Sequence, residues 1–263
     1  MMGRLLLLGM LAGLIAGVLA FGVARVWGEP PVAAAIAIEE ANAEAEHSHA
    51  AAPAADHAAG EIVAPAPEAA GHSHGDEELV SRATQAGLGL FVGMTVFATA
   101  LGGIFALVFA WAQGRVSDLR PVATTAAIAL LGFVAVVLIP ALKYPANPPA
   151  VGHEDTIGLR TGMYFLMMAI SAAAMVVAVL TARRAASGRV GILVGAAIYV
   201  AAVAVAMQVL PRINEVPADF PADVLRQFRV VSLVIEAVLW GVTGLLLGWL
   251  IERDGRALSP RMA

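Results

Sequence analysis

The sequence predicts an all-α, polytopic membrane bundle of about six spans, and three observations carry the prediction. Hydrophobic residues make up 60% of the chain and charged residues only 14%, against about 25% charged in an average soluble domain. Mean hydropathy is +0.81. The apolar residues also gather into six stretches, each near the roughly 20 residues that cross a hydrocarbon core: 5–24, 86–112, 122–142, 162–182, 190–210 and 230–251. The first five hold no charged residue, and the sixth holds only Glu236.

The first stretch follows Arg4 as a secretory signal would, but no small-x-small cleavage site precedes Glu29, so it is expected to stay as an uncleaved first span within 1–27. A polar loop follows over 28–80, then a five-span core over 81–251 and a short tail over 252–263. Within the loop, 32–47 is rich in Ala, Ile and Glu and is expected to be helical. On a helix, Glu40, Glu44 and His47 fall at i, i+4 and i+7 and share one face, where a single metal ion could be held. The stretch 50–70 is rich in Ala and Pro and reads as a tether.

Five of the six histidines lie in this loop: His47, His49, His57, His72 and His74. Four of them form two His-Ser-His triplets. Glu39, Glu40, Glu44, Glu46, Asp56, Glu61, Glu68, Asp76, Glu77 and Glu78 surround them. Imidazole mixed with carboxylate suits Zn, Ni, Co and Cu, whereas Mg and Ca prefer oxygen alone. A plain low-complexity linker is the alternative, but the repeated triplet and the crowded acids favour metal capture. Binding by a chain that must order itself around the ion should be weak and exchangeable.

With the N-terminus inside, the inner segments carry nine arginines against three acids, and the longer outer segments carry seven basic residues against sixteen acids. The density of Arg in the short inner segments therefore places both termini in the cytoplasm and the His-rich loop outside. Each outer loop ends in carboxylates followed by arginine: Asp76, Glu77 and Glu78 then Arg82; Glu154 and Asp155 then Arg160; Asp219 and Asp223 then Arg226 and Arg229. That recurrence suggests three out-and-back hairpins, a symmetry seen in transporter folds, although acidic first turns with interfacial Arg also arise as ordinary helix capping. Gly9, Gly13 and Gly17, Gly89 and Gly93, Gly191 and Gly195, and Gly244 and Gly248 recur at i+4, the spacing that lets membrane helices approach closely.

Glu236 is the candidate site within the spans. A carboxylate in hydrocarbon costs a few kcal/mol even on insertion scales, so it should face the bundle. It shares a helical face with Arg229 and with Ser232 or Leu233. Two readings stand: a metal or proton station on a permeation path, or a carboxylate offset by Arg229 snorkelling to it. Span four places Tyr164, Met168, Ser171 and Met175 on one stripe beside Met163 and Met167, where thioethers are expected to pack rather than ligate.

Several functions are excluded by what is missing. Cysteine is absent, which removes disulfides, thiolate metal sites and cysteine-bound clusters. Lys143 is the only lysine and Tyr144 follows it, so there is no phosphate-binding loop for ATP hydrolysis. No histidine lies within a span, and no nucleophile elbow or His-Glu-x-x-His motif occurs. Nothing points to an enzyme, a permanently bound cofactor or a nucleic-acid partner; the partner that composition dictates is the lipid bilayer.

Four stretches resemble the CbtA family of bacterial cobalt transporter subunits: EELVSRATQAGLGL at 77–90, LKYPANPPAVG at 142–152, NEVP at 214–217 with DFPADVL at 219–225, and GEPP at 28–31. The resemblance implies a cytoplasmic-membrane protein that pairs with a small, histidine-bearing, single-span CbtB-type subunit and is associated with cobalamin supply. It brings no established ligand residues. The Ala- and His-rich stretch 50–71 lies outside the pattern, which leaves open whether its histidines are essential. The expectation is transport of Co²⁺, with Ni²⁺ as second candidate, captured by the outer loop and passed through the bundle. Its rival is a membrane scaffold or metal-sensing subunit that does not transport.

Overall fold

The structure, a computed structural model, describes residues 2–50, 81–149, 151–152, 154–185 and 187–258. Among these there is no strand, and six helices are long and apolar enough to cross a membrane: α1 (Met2–Ala45), α2 (Arg82–Ala112), α3 (Pro121–Lys143), α4 (Asp155–Arg184), α5 (Gly188–Val209) and α6 (Ala222–Gly255). The six predicted spans and the all-α class are therefore present.

The first helix is much longer than a bilayer requires. Segments of 22, 5 and 22 residues run continuously from Met2 to Ala50, roughly 70 Å at 1.5 Å per residue. The helix predicted over 32–47 is thus an unbroken extension of the first span. Its ladder changes to π-helical over Ala24–Gly28, just before Pro30 and Pro31, whose rings cannot join a regular α-ladder. The same device recurs in α3, where the π-helical stretch Phe133–Leu138 precedes Pro140.

Short signals set the other helix ends. The Ser81 hydroxyl accepts from the Thr84 N–H and starts α2. Gly114, at φ +77°, makes the turn after it, a backbone that favours glycine. Pro121 opens α3, and the free N–H of Val122 donates to Glu252 Oε1 on α6 at 3.3 Å, so a carboxylate from another span caps this helix.

Glycine sets which helices meet. A Cβ on Gly17 would lie 2.7 Å from the Ala98 Cβ, and Gly9 and Gly13 press on Gly102 and Ala98, so α1 lies directly against α2. Gly191 and Gly195 seat α5 on Ala182 and Ala178 of α4, while Gly244 and Gly248 seat α6 on Ala129, Thr125 and Val122 of α3. Gly89 and Gly93 make no such approach; Gly102 takes that role on α2. Of the three expected hairpins, α1 packs closely on α2 and α3 touches α4, whereas the pairing of α5 with α6 is corrected. The tight pairs are α1 with α2, α3 with α6 and α4 with α5, and α1 also packs on α6, whereas α5 and α6 have no extensive contact. Small residues mark each of these close approaches, including the one between α3 and α6, which are not adjacent in sequence.

The bundle has two distinct ends. At the basal end Arg4 pairs with Asp254, Arg120 with Glu252 at 2.9 Å, and Arg183 with Asp118 at 2.9 Å, so the start of α1 and the end of α6 lie together. At the cap end the loops 144–152 and 210–221 fold over the helices. Ala35 and Ile38 of the α1 extension pack there on Val151, Phe220, Val216, Val224 and Leu225, and Arg82 pairs with Glu29 at 2.7 Å.

Candidate functional site

The site is built by the loop that follows α3. Lys143 Nζ donates to the Met207 and Leu210 carbonyls at 2.7 and 2.9 Å, placing a cation on the otherwise unpaired C-terminal carbonyls of α5. The Tyr144 hydroxyl donates to the Pro211 carbonyl at 2.8 Å, and burial pushes this phenol above its ordinary value, so it stays a neutral donor. The next three residues then face other helices. Arg229 of α6 donates from Nε to the Ala146 carbonyl at 3.1 Å and from Nη2 to Asn147 Oδ1 at 3.0 Å. Arg160 of α4 donates to the Pro145 carbonyl.

Arg160 is itself held from behind. Its Nη1 lies 3.5 Å from Glu215 Oε2, and Glu215 is only 5% exposed. Thr156 donates to the other carboxylate oxygen at 2.6 Å. A carboxylate this buried persists only because the guanidinium and the hydroxyl replace lost water.

Beneath the loop lies a cavity of 570 Å³, lined among others by Tyr144, Asn147, Arg160, Thr161, Tyr164, Arg229, Ser232 and Glu236. The predicted face of α6 is the one that lines it: Arg229, Ser232, Leu233 and Glu236 all contribute. Arg229 does not offset Glu236, however, since its hydrogen bonds go to the 144–147 loop. Glu236 lies two turns further in, roughly 10 Å along the axis, half-buried and close enough to Tyr164 to act on it electrostatically. The chamber is therefore positive near the cap loop and carboxylate-lined at depth.

Below Glu236 the bundle turns largely apolar. Trp240 stacks edge-on against Phe105, with ring centroids 5.2 Å apart, and fits the notch left by Gly132, where a side chain would strike its ring. Beyond lies a second, apolar cavity of 470 Å³ between α2, α3, α4 and α6, whose polar lining is confined to Ser117 and Thr124 apart from the Trp240 indole and Trp111. The methionine stripe of α4 packs as expected: Met167 is fully buried, with Met163 and Met175 against the same cluster, and Ser171 shares a 2.8 Å hydrogen bond with Tyr199.

The other predicted ligands stand apart from the chamber. Glu40 and Glu44 are exposed on the α1 extension and do not line the cavity. His47 and His49 continue the same helix. His57, His72 and His74 lie outside the described residues. Among the described residues no group of three His, Asp or Glu side chains is assembled to hold a metal ion. Sequence reasoning missed Tyr144, Asn147 and Arg160 as chamber residues, although the run from Lys143 to Pro149 that carries the family resemblance marked the loop.

Six helices long and apolar enough to span, of which α3, α4 and α6 line the chamber, define a multi-pass α-helical membrane protein. The family model of CbtA, described as probable cobalt transporter subunit, matches residues 2–252, and the chain belongs to that family. No curated protein and no solved structure matches the chain. The family makes this a cobalt transporter subunit, which implies protein partners.

Proposed function

We propose that this chain conducts Co²⁺ across the bacterial cytoplasmic membrane, with Ni²⁺ as a second cargo. The cap end faces outward, because arginine is denser in the short segments of the basal end. The His- and acid-rich segment, with Glu40, Glu44, His47, His49, His57, His72 and His74, gathers the metal. The acidic surface raises local cation concentration in a salt-dependent way. Glu236 receives the ion within the bundle, and a small single-span CbtB-type subunit completes the assembly. No group is held permanently; the metal is cargo.

The observation that carries this reading is the place of Glu236 on the 570 Å³ chamber beneath the cap loop. A half-buried carboxylate without a guanidinium partner among the described residues is costly in a membrane and is retained where it serves a pathway. The test is radioactive cobalt uptake in cells lacking other importers, with the chain alone, with its partner, and with Glu236→Gln. Uptake should require the chain and fall at least tenfold in the variant. Uptake equal to that of empty cells in every arm would sink the transport reading.

One observation favours the rival, a scaffold or metal-sensing subunit: the Trp240 and Phe105 ring pair and the largely apolar cavity beneath it lie between Glu236 and the basal end. A transporter must move Trp240; a scaffold need not.

A further inference from the structure

We propose that the chamber holds a small oxyanion, of the phosphate or carboxylate class, between Arg160 and Arg229. Both arginines line the cavity, and Arg160 lies near enough for its charge to act on Arg229. Like charges at short range in a poorly solvated site repel by several times their cost in water. Only one of the two is neutralised: Arg160 faces Glu215 at 3.5 Å, while Arg229 has no carboxylate partner among the described residues and donates only to an amide and a carbonyl oxygen.

The donor geometry suits an anion. Arg229 commits Nε and Nη2 to the loop, which leaves Nη1 without a protein acceptor among the described residues. Asn147 accepts from Arg229 through Oδ1, so its Nδ2 amide is available to donate. Thr161 and Tyr164 add hydroxyls to the same lining. Guanidinium forks with neighbouring amide and hydroxyl donors are the usual composition of an oxyanion site. At 570 Å³ the cavity exceeds the needs of inorganic phosphate and admits a di- or tricarboxylate.

This goes beyond cobalt conduction and does not depend on it, although it bears on it. A dication arriving past two guanidinia is repelled, and an anion seated between them removes that barrier and can accompany the metal toward Glu236.

The experiment is calorimetric titration of the purified full chain in phosphatidylcholine nanodiscs with inorganic phosphate and with citrate, in the absence of metal. One saturable site is expected for at least one anion. It should be at least tenfold weaker in Arg229→Gln and unchanged in Arg226→Gln, an exposed arginine one turn away that does not line the chamber. Asn147→Ala carries the same expectation should Arg229→Gln fail to fold. Repeating the titration with phosphatidylglycerol in the disc separates the sources: competition assigns the site to a lipid headgroup, and its absence assigns it to a soluble anion. Lack of saturable binding in phosphatidylcholine discs overturns the proposal, as does equal binding by both arginine variants. Metal transport plays no part in the readout, so failure here leaves the cobalt reading standing.

Discussion

Arg229 on α6 donates from Nη2 to Asn147 Oδ1 at 3.0 Å, fastening the span that carries Glu236 to the loop that roofs its chamber. A hydrogen bond to a charged group contributes about 1.5–3 kcal/mol. Asn147→Ala should therefore lower the thermal unfolding midpoint in detergent by several degrees, whereas Asn214→Ala, exposed on the other cap loop and bonded only locally, should change it little. Equal shifts would show that the roof contact does not hold the loop.

Glu215 and Arg160 form the most buried ion pair among the described residues. Removing one partner of such a pair strands the other charge and costs about 3–5 kcal/mol. Glu215→Gln should destabilise the protein strongly, since Thr156 can still bond the amide but nothing neutralises Arg160. The double variant with Arg160→Gln should be more stable than Glu215→Gln alone. Additive losses in the double-variant cycle would show that the two residues are not coupled.

Glycine positions that look equivalent in sequence should behave differently. A Cβ at Gly13 would enter the backbone of Ala98, while a Cβ at Gly93 would meet nothing within 4 Å. Overpacking a tight interface costs about 1–3 kcal/mol. Gly13→Ala should lower thermal stability by that amount and Gly93→Ala should leave it unchanged or slightly raised, because Ala is the better helix former. The reverse order would contradict the α1 and α2 packing.

That contrast also shows what was legible beforehand. The six spans were readable because the bilayer demands about 20 apolar residues and punishes charge, and the inward face of Glu236 followed from the same penalty. Which helices pair was not readable. Small residues at i+4 mark a possible close approach without naming a partner, so Gly93 and Gly102 could not be told apart, and the pairing of α3 with α6 rests on Glu252 and Gly244 reaching residues more than a hundred positions away. The chamber was half legible. Periodicity gave the face of α6, but the roof depends on Lys143 and Tyr144 gripping the end of α5, which no local pattern encodes.

The absence of cysteine makes accessibility directly measurable at single introduced thiols. Ser232 lines the chamber, whereas Thr243 lies beyond Trp240 and is fully buried. Ser232→Cys should react with a membrane-impermeant maleimide added outside intact cells, and Thr243→Cys should not. Trp240→Ala removes the ring that fills the Gly132 notch, so in that background Thr243→Cys should begin to react, at a rate rising several-fold. Labelling of Ser232→Cys only in inverted vesicles would reverse the proposed orientation. Labelling of Thr243→Cys with Trp240 in place would mean that the chamber is not sealed there, and that the conducting route already passes the indole.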